Sequence, residues 1–570
     1  MKDKMKKAAL EIFEETRKSG IDNQDKLNSI KKRIAKKYNL GKFPTNIEIL
    51  NNLPPEKRDE YRIFTTKPVR TSSGVAIIAV MSYPFKCPHG RCAICPGGPK
   101  SFFGDVPQSY TGKEPATRRA VRNNFDPYLQ VMNRLEQYVV INQIPEKIEL
   151  IIMGGTFPAL DKTYQKEFVM YSLKAMNDFS RMFFKKDIFL KKKFMRFFEL
   201  PGKVDDPARE KKLKEKLMEL KRSTETTLEK EQTKNEKSIA RCVGLTVETR
   251  PDYADEDIGK FLLSLGCTRV EIGIQSLDDK KLKAIERGHD VNDSINAART
   301  LRDLGFKLNF HMMIGLPGWS KETDKKELEK IFSDKRFRPD MLKIYPCMVM
   351  EGTKLYEKFR KKKYVPPKTK EASEIIAAFL PKIPEYARLM RVQRDIPTDV
   401  TVAGVDRTNL RQYIDNLNPK SRDIREREAG TVFRKKKILP EKIDIVVQEY
   451  DASEGKEFFI SAEDVKKDIL VGFIRLRFPS QTLRKEITEK SALVRELHVY
   501  GTQASIREKK QSYHYSQHLG IGKKLLKKAE DIAKKNDKEK IIIISGIGVR
   551  DYYRKHGYKK QGPYMVRTFS

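Results

Sequence analysis

Six short apolar runs, each followed by a helical pattern, begin at residue 75 and constrain the fold of this chain most. Runs of this length are typical of buried strands, and strands that alternate with helices form a parallel sheet. Six strands are fewer than the eight that close a complete barrel. The sequence therefore predicts an α/β fold with an open, partial (β/α)6 barrel, whose strands are Val75–Met81, Ile148–Met153, Leu245–Glu248, Arg269–Ile274, Lys307–Ile314 and Met341–Tyr345.

A second α/β unit is predicted after residue 430, where apolar runs return in another order. Ile443–Glu449, Val471–Phe478 and Val494–Tyr500 precede a helical pattern over 522–534, and Ile541–Ser545 follows it. The 570 residues are enough for several domains. We predict a basic helical segment at 1–70, the barrel at 71–365, a basic linker at 366–430 and the second domain at 431–570. A charged insertion at 184–238 is expected to be exposed helix or disorder, without a catalytic role.

The net charge of +38 exceeds what solubility requires and indicates a polyanionic partner, with nucleic acid the first candidate. A thermophile surface rich in ion pairs is the alternative, but it does not explain the excess of basic residues. For the helical pattern Leu27–Tyr38, a solvated face is an equal alternative to nucleic-acid contact. The candidate contacts are Lys31, Lys32, Arg33, Lys36 and Lys37 in that pattern and Arg391, Arg394 and Arg407 in the linker.

The sequence has no apolar run of eighteen residues and no signal-type segment, so we expect a soluble, cytoplasmic protein. Cys242, Cys267 and Cys347 are scattered along the chain and predict no disulfide framework. The other three cysteines fall close together, which indicates a different use.

Cys87, Cys92 and Cys95 follow the first predicted strand in the pattern C-x4-C-x2-C. Three thiolates at such spacing can hold a [4Fe–4S] cluster and leave one iron open to a small ligand. The loop is similar to that of radical S-adenosylmethionine (SAM) enzymes, although C-x3-C-x2-C is the commoner spacing there. Zinc is the alternative, because His89 offers a fourth ligand.

Two glycines, Gly154 and Gly155, come directly after the second predicted strand and before Thr156. Glycines at this position let the backbone approach a ligand closely. A similar Gly-Gly turn holds the amino group of SAM in radical-SAM enzymes. An ordinary turn is the alternative.

Glu248, Glu271 and Gln275 lie near the carboxyl ends of the third and fourth predicted strands. Side chains there face the mouth of a barrel, where they could reach SAM or the substrate. Pairing of each glutamate with the arginine two residues away is the equal alternative. His311 lies within an apolar strand, and we expect a core histidine with a satisfied hydrogen bond and without a catalytic role.

The segment from Gln517 to Gly522 reads Gln-His-Leu-Gly-Ile-Gly and opens the helix of the second unit. It resembles the turn of GNAT-type acetyltransferases, in which backbone N–H groups at a helix start bind the pyrophosphate of coenzyme A. Gly520, Ile521, Gly522 and Lys523 are therefore the candidate coenzyme contacts. His514 and His518 flank this turn and are expected to be loop residues.

The order of a radical-SAM barrel and a GNAT domain, together with longer local matches, resembles the catalytic subunit of Elongator and its archaeal stand-alone forms. The resemblance covers about residue 65 to the end, apart from the charged insertion. The matching segments are Arg70-Thr-Ser-Ser-Gly-Val, Cys95-Pro-Gly-Gly-Pro, Gln108-Ser-Tyr-Thr-Gly-Lys-Glu-Pro, Asp126-Pro-Tyr, Met153-Gly-Gly-Thr-Phe, Arg391-Val-Gln-Arg-Asp-Ile-Pro, Arg495-Glu-Leu-His-Val-Tyr-Gly and Gly562-Pro-Tyr-Met.

This resemblance implies a tRNA uridine acetyltransferase that uses a [4Fe–4S] cluster, SAM and acetyl-CoA. A SAM-derived radical would activate the acetyl methyl group, which adds to carbon 5 of the wobble uridine, and thioester hydrolysis would leave a carboxymethyl group. The implied partners are the tRNA anticodon stem-loop and an external electron donor, without obligatory partner subunits. The implied acetyl-CoA contacts are Lys147, Glu496, Leu497, His498, Val499, Ile521, Gly522, Lys523 and Tyr553.

Two departures from the family pattern limit what is carried over. Relatives often have a longer spacer between the first two cysteines, and Ser421 stands where relatives often have cysteine, so no linker zinc is predicted. The alternative function is a protein lysine acetyltransferase with a structural iron–sulfur cluster, which requires an acidic groove for a basic peptide. A third reading, an RNA-binding scaffold, leaves both ligand loops unexplained.

Overall fold

The computed structural model describes residues 2–21, 24–41, 43–53, 64, 74–200, 202, 206–500 and 520–569. Its N-terminal part is a small helical unit, whose apolar core includes Phe13, Ile34 and Phe64. No described helix is long and apolar enough to cross a membrane. The helices of this unit are α1 (Lys2–Lys18), α2 (Gln24–Lys37) and α3 (Asn46–Asn52).

The next part is a parallel sheet surrounded by helices. Its first half, in chain order, consists of β1 (Val75–Met81), β2 (Gly98–Ser101), β3 (Gly104–Val106), α4 (Pro115–Arg122), α5 (Pro127–Val140), β4 (Lys147–Met153), α6 (Lys162–Phe183), β5 (Phe184–Lys185), β6 (Ile188–Phe189), α7 (Lys191–Phe197), α8 (Pro207–Arg222), α9 (Leu228–Lys237) and β7 (Arg241–Thr249). Its second half consists of α10 (Glu256–Leu265), β8 (Arg269–Gln275), α11 (Asp279–Ala284), α12 (Val291–Asp303), β9 (Lys307–Ile314), α13 (Lys321–Ser333), β10 (Met341–Pro346), α14 (Lys354–Arg360), α15 (Thr369–Phe379) and β11 (Arg388–Arg391).

The strands of this sheet follow the order β1-β4-β7-β8-β9-β10-β11, and every neighbouring pair is parallel. The fold class predicted from the sequence, an α/β partial barrel followed by a second α/β domain, is confirmed. The strand count is corrected from six to seven, because Arg388–Arg391 pairs with β10. That segment was predicted to be part of the linker, since it is short and basic. β1 and β11 are the edges of the sheet, so the barrel is open between them.

The charged insertion at 184–238 is packed helix, and the expectation of exposed helix or disorder is wrong for its described residues. Leu213, Leu217 and Leu228 lie in the core of the barrel part, and Asn235 is fully buried. Lysines and glutamates cover the outer faces of α8 and α9, which hid the narrow apolar stripe in the sequence. The insertion also reaches the second domain, because Glu236 accepts from Arg550 at 2.9 Å.

The last part contains a second seven-stranded sheet, of order β12-β13-β14-β15-β16-β18-β17. Neighbouring strands are antiparallel except for β15 and β16, which are parallel. Strands β13, β17 and β18 were not among the strands predicted. The elements from the linker onward are α16 (Leu410–Asn416), α17 (Ile424–Arg427), α18 (Ala429–Lys436), β12 (Asp444–Ala452), β13 (Gly455–Asp464), β14 (Ile469–Phe478), β15 (Ser491–Val499), α19 (Ile521–Lys535), β16 (Lys540–Ile543), α20 (Arg550–Arg554), β17 (Lys559–Gln561) and β18 (Tyr564–Thr568).

The second sheet packs against the amino ends of the barrel strands. Arg495 on β15 donates to both carboxylate oxygens of Asp340, the residue before β10, at 2.7 and 2.6 Å. Tyr564 on β18 donates through its hydroxyl to the carbonyl of Leu304, before β9, at 2.9 Å. The carboxyl ends of the barrel strands, where the cysteine loop lies, are therefore on the side away from this contact.

Candidate functional site

The three motif cysteines lie in one buried loop at the carboxyl end of the barrel. Cys87, Cys92 and Cys95 are each only 7–8% exposed. Arg287 donates to Cys92 Sγ at 3.4 Å, and the backbone N–H of Ser109 donates to Cys95 Sγ at 3.2 Å. Burial raises the pKa of the Cys87 thiol and raises that of Cys95 to about 11. A bound metal would compensate the charge of the Cys87 and Cys95 thiolates and so favour their formation in this buried loop.

His89 lies beside the cysteine loop. Its Nε2 is 3.1 Å from Cys92 Sγ, and Arg250 contacts its Nδ1. A zinc ion would use His89 as its fourth ligand, whereas a [4Fe–4S] cluster would use the three thiolates and leave one iron open.

The glycine turn after β4 lies beside the cysteine loop. Gly154 and Gly155 have φ of +129° and +95°, which favours glycine, and a Cβ on Gly154 would lie 2.3 Å from Ser82 Oγ. Ser82 Oγ is buried without a hydrogen-bond partner among the described residues. Thr156 Oγ1 lies 3.8 Å from Cys87 Sγ. This turn thus presents open backbone and an unpaired hydroxyl next to the cysteines, as a site for a polar ligand group requires.

Polar side chains line the lumen of the barrel between the cysteine loop and the second sheet. On β9, Leu308, Phe310 and Met312 pack in the core against the helices, so Asn309 and His311 face the lumen. By the same alternation, the inward-facing side chains on β7, β8 and β10 include Glu248, Glu271 and Lys343.

Glu271 is the centre of this group. His311 Nε2 lies 2.8 Å from Glu271 Oε2, and Lys343 Nζ contacts the same oxygen. Arg269 Nη2 lies 3.4 Å from the other oxygen, so the ion pair foreseen between these two residues is present. His311 has the hydrogen-bond partner that the sequence analysis expects for it. Its ring lies on the lumen side of β9, opposite the apolar side chains that pack against the helices.

Glu248 lies near Glu271 in a different environment. It accepts a hydrogen bond of 2.9 Å from the hydroxyl of Tyr110. The foreseen pairing with Arg250 does not form, because Arg250 pairs with Asp252 at 2.7 Å. Burial raises the pKa of Glu248, and the nearby carboxylate of Glu271 adds to the increase.

The pKa of Glu271 moves in the opposite direction. Burial alone would raise it, but Lys343, His311 and Arg269 hold it well below its usual range. Burial and the nearby Lys343 lower the pKa of His311 to about 4, so the imidazole is neutral at physiological pH. Two carboxyl groups with opposite pKa shifts beside a neutral imidazole are a typical arrangement of acid–base chemistry.

A continuous cavity of about 2180 Å³ runs from the open side of the barrel to the second sheet. Lys307 Nζ lies 3.9 Å from Glu496 Oε1 at the point where the two parts meet, and Arg475 holds the other oxygen at 3.0 Å. Helix α19 is preceded by its N-cap residue Gly520, which is left-handed with φ of +71°. Its first N–H groups have no acceptor within the helix and point towards this cavity.

Matches to known proteins decide the family. The model of the radical SAM superfamily matches residues 81–331, its C-terminal domain model matches 339–417, and the ELP3 N-terminal domain model matches 5–72. The tRNA uridine(34) acetyltransferase of Methanocaldococcus infernus is 44% identical over 575 residues, which cover 99% of each chain. The chain belongs to the Elongator complex protein 3 family.

Other members of the Elongator complex protein 3 family show the same breadth of match. Elongator complex protein 3 of Saccharomyces cerevisiae is 36% identical over 96% of this chain and 93% of its own length. A solved structure of the Methanocaldococcus infernus protein, lacking residues 1–46, covers 87% of this chain and all of its own, at 40% identity and a TM-score of 0.70. The match to the radical SAM model includes the cysteine loop, and it indicates a [4Fe–4S] cluster with SAM as its ligand.

The coenzyme contacts predicted for this Elongator complex protein 3 family member come together around the cavity, with one exception. Ile521 is packed in the core of the second domain, so only its backbone is available. Gln517, His514 and His518 lie outside the described residues. The predicted residues that line the cavity are Lys147, Glu496, Leu497, His498, Val499, Gly520, Gly522, Lys523 and Tyr553.

The predicted nucleic-acid contacts are separated by the fold. Lys31 is buried, and burial lowers its pKa, so its assignment as a contact is wrong. It occupies an apolar-face position of α2, four residues after Leu27 and three before Ile34. Lys32, Arg33, Lys36 and Lys37 are exposed on the same helix, although Arg33 and Lys37 pair with glutamates of α1. Arg391 and Arg394 line the cavity, and Arg407 is exposed.

Basic residues that the sequence analysis missed lie at the rim of the cavity. Basic side chains greatly outnumber acidic ones in its lining, and Arg118 and Arg122 on α4 are among them. Arg119 between them is buried and donates to the carbonyl of Ala79 at 2.6 Å, which fixes α4 against β1. The signal was in the sequence, since α4 carries three arginines within eight residues. Such a short run on one helix is too common to indicate nucleic acid by itself.

Proposed function

We propose that this protein is a tRNA uridine acetyltransferase that carboxymethylates carbon 5 of the wobble uridine with acetyl-CoA. The names of the relatives match this activity, because the archaeal relatives are tRNA uridine(34) acetyltransferases. The observation that carries the proposal is this cavity, because its lining joins the coenzyme residues of the second domain to barrel-strand residues that include Ile77, Glu149 and Arg269. A methyl group carried by coenzyme A and a radical formed at the cysteine loop must meet, and this cavity extends from the coenzyme residues as far as Met153, which directly precedes the Gly154–Gly155 turn.

The cysteine loop would hold a [4Fe–4S] cluster through Cys87, Cys92 and Cys95. When bound there, the cluster and SAM supply a 5′-deoxyadenosyl radical that removes a hydrogen atom from the acetyl methyl group. The turn at Gly154 and Gly155 would receive the amino-acid part of SAM through its backbone and the hydroxyl of Ser82. An external electron donor is part of this proposal.

The coenzyme would bind along β15 and the start of α19. The N–H groups of Ile521, Gly522 and Lys523 suit a pyrophosphate, since the helix dipole and the free donors act together. Glu496 faces Lys307 across the contact between the two parts. Lys147, on the barrel side, has a pKa that burial lowers, so its ammonium group gains from an anionic partner such as a coenzyme phosphate.

The tRNA would bind at the basic rim of the cavity. Arg118, Arg122, Arg391 and Arg394 offer guanidinium groups for phosphates around the open side of the barrel. The base must leave its stack to reach the lumen, so an unpaired anticodon loop is the suitable substrate. We expect the anticodon stem-loop to suffice for binding, and we expect no partner subunit to be required.

A protein lysine acetyltransferase is the alternative that uses the same coenzyme residues. It requires an acidic groove for a basic peptide, but the lining of this cavity is strongly basic. The coenzyme residues also open towards the barrel. Acetylation of a lysine side chain needs no radical, so the protein acetyltransferase reading does not explain this arrangement. Both observations favour the tRNA substrate.

The proposal is tested with anaerobically reconstituted protein, SAM, acetyl-CoA, a reductant and an unmodified tRNA. We expect 5-carboxymethyluridine in digested tRNA by mass spectrometry, and none when SAM is omitted. A histone-like peptide at matched salt serves as the competing acceptor. Acetylation of this peptide without any change in the tRNA would assign the protein to the alternative class.

A further inference from the structure

Bonding of the acetyl carbon to uridine does not complete the proposed reaction, because the product is still a thioester of coenzyme A. Water must add to the carbonyl carbon, and the carbon–sulfur bond must break, to give a carboxylate and the free thiol. The carbonyl carbon is bonded directly to the carbon that joins the uridine. The group that activates this water therefore lies in the same chamber as the reacting base, which is the lumen.

His311 has the geometry of a general base held by a carboxylate. Its Nε2 lies 2.8 Å from Glu271 Oε2, and its ring contacts Tyr345 edge-on at 5.6 Å between centroids. Both contacts fix the orientation of the imidazole. Because Glu271 accepts from Nε2–H, the lone pair is on Nδ1, which has no partner among the described residues. The side chain is 13% exposed, so the lumen reaches it.

The other titratable groups of the chamber are less suitable bases. Lys343 is protonated, because Glu271 raises its pKa against the effect of burial. Glu271 is a weak base, since three cationic or donor groups stabilise its charge. Glu248 already accepts from Tyr110. His311 alone in this group combines a neutral nitrogen with a free lone pair.

Asn309 gives a second, independent indication of a ligand beside His311. It is fully buried on the lumen face of β9, two residues before His311, and it pairs in register with Glu271. Neither the oxygen nor the nitrogen of its amide has a hydrogen-bond partner among the described residues. A buried amide of this kind is costly unless water or substrate satisfies it.

We propose that His311 is the general base for hydrolysis of the thioester and that Glu271 is the residue that positions it. The inference rests on the proposed function, because it assigns a residue to a step that carboxymethylation requires. His311 Nδ1 takes a proton from water as the water oxygen bonds to the carbonyl carbon. The carbon–sulfur bond then breaks, and the same proton passes to the sulfur of coenzyme A. Lys343 faces the developing negative charge on the carbonyl oxygen.

The first experiment needs neither cluster nor SAM. Release of the coenzyme A thiol from acetyl-CoA is measured with and without tRNA, in wild-type protein and in His311→Gln. Glutamine keeps an N–H for Glu271 but has no basic nitrogen, so we expect hydrolysis about 100-fold slower with unchanged acetyl-CoA affinity. Hydrolysis by His311→Gln at the wild-type rate overturns the inference. A rate that depends on an added divalent ion also overturns it, by assigning Glu248, Glu271 and His311 to a metal site.

The pH profile separates a base from a structural residue. The pKa of His311 is lowered to about 4, so the rate should stay level in neutral solution and fall as the pH drops through that value. The ionisable groups that face the imidazole are Glu271, Lys343, Tyr345, Glu248 and Arg394. Glu248→Gln is the control: we expect it to keep the acid limb, whereas His311→Gln loses it. If the fall in rate at low pH disappears only in Glu248→Gln, the general base is Glu248 and not His311.

The positioning role of Glu271 is tested with two conservative variants, Glu271→Gln and Glu271→Asp. Glu271→Gln should slow hydrolysis because its amide does not favour the tautomer with Nδ1 free, and Glu271→Asp should restore part of the rate. Equal loss in both variants, without loss of folding, contradicts a positioning role.

The complete reaction gives a separate signature. In reconstituted enzyme with SAM, His311→Gln should stop at the thioester on tRNA, which hydroxylamine converts to a hydroxamate that mass spectrometry detects. Carboxymethyluridine at the wild-type rate in this variant overturns the inference. Absence of any modified uridine in the wild type contradicts the proposed function instead, while the hydrolysis experiment still decides the role of His311.

Discussion

The two ends of the partial barrel are built in opposite ways. At the amino end, Asp340 and Arg495 are fully buried and joined by two hydrogen bonds, and Arg477 pairs with Asp303 at 2.6 Å. At the carboxyl end, the hydroxyl of Ser82 has no hydrogen-bond partner in the described part of the chain, and Gln275 has a φ of +72° that side chains rarely adopt. At the amino end most buried charges pair across the contact between the domains, although two guanidinium nitrogens of Arg302 have no hydrogen-bond partner among the described residues. At the carboxyl end, a polar side chain and a strained backbone residue remain available for contact with a ligand.

This difference separates stability from chemistry within one barrel. Removal of one partner from a buried ion pair that bridges two domains is strongly destabilising, because the other charge is left buried without compensation. Unpaired polar atoms and strained backbone cost stability and are characteristic of sites that bind ligands. We therefore expect substitutions at the amino end to change the free energy of unfolding. Substitutions at the carboxyl end should change ligand binding or the rate of the reaction. The predictions below test this division, and they begin with the largest effect.

Cys92→Ala is expected to abolish iron uptake on anaerobic reconstitution and, with it, reductive cleavage of SAM, because only two of the three thiolates remain. The free energy of unfolding should change by no more than about 1 kcal/mol. Iron analysis, assay of 5′-deoxyadenosine and thermal unfolding measure these effects. Cys242→Ala, at a buried cysteine near the amino end of β7, is the matched control and should keep the iron. Stoichiometric zinc with no iron in the wild type would contradict the prediction.

Asp340→Asn is expected to lower the free energy of unfolding by about 3–5 kcal/mol, because it leaves buried arginine charge without its partner. Burial alone would raise the pKa of Asp340, but Arg495 and Arg475 hold it far below its usual range. The depressed pKa means that its stabilisation is complete above about pH 4 and is lost as the pH falls further. Denaturant unfolding at several pH values measures both effects.

The division between the two ends of the barrel is wrong if Asp340→Asn leaves the free energy of unfolding unchanged. It is also wrong if the variant is folded but no longer cleaves SAM. The variant should also lose part of the acid sensitivity of the wild type, because the titrating carboxyl is gone. Acid sensitivity that is identical in the two proteins would assign it to other groups.

Gly522→Glu is expected to weaken acetyl-CoA binding by at least about 100-fold, or roughly 2.7 kcal/mol. A Cβ at this position would lie 2.8 Å from the hydroxyl of Tyr552, and the added carboxylate would repel a pyrophosphate. Calorimetry measures the affinity, and iron content should be unchanged. Gly41→Glu, where a Cβ meets nothing within 4 Å, is the control. Equal affinity in Gly522→Glu and wild type would refute the coenzyme assignment.

Arg118→Gln with Arg122→Gln is expected to give the smallest effect, a several-fold loss of tRNA affinity. Each lost phosphate contact lowers the slope of log affinity against log salt by about 0.9 on duplex or 0.7 on single strands. Replacement of the exposed Lys32 and Lys36 by glutamine tests the N-terminal helix in the same way. Lys442→Gln, at a side chain 79% exposed outside the cavity, is the control and should leave the slope unchanged. If none of the arginine and lysine substitutions alters the slope of log affinity against log salt, the tRNA binds at another surface.

The strand pattern was readable from the sequence wherever apolar residues formed a continuous run. All six predicted barrel strands are present, because a parallel strand covered by helices needs such a run. Strand β11 was missed because two of its four residues are arginine. Its pairing with β10 depends on a neighbour that the local sequence does not reveal.

The candidate site was predictable in part for the same reason. Cys87, Cys92 and Cys95 share one loop, so their spacing is local information. The dyad of His311 and Glu271 was not foreseen, since it depends on two strands that lie side by side and on which face each residue occupies. Lys31 was assigned to the surface by its charge, although its helical position among apolar residues already favoured burial.

The unpaired edges of the first sheet have a consequence for what kind of molecule can be modified. A nucleotide in the middle of a polymer has chain on both sides, and a closed ring of strands admits only its flipped base through the mouth. The gap between β1 and β11 gives access from the side as well. A barrel that stops short of closure thus leaves room for the flanking chain beside the base that is modified.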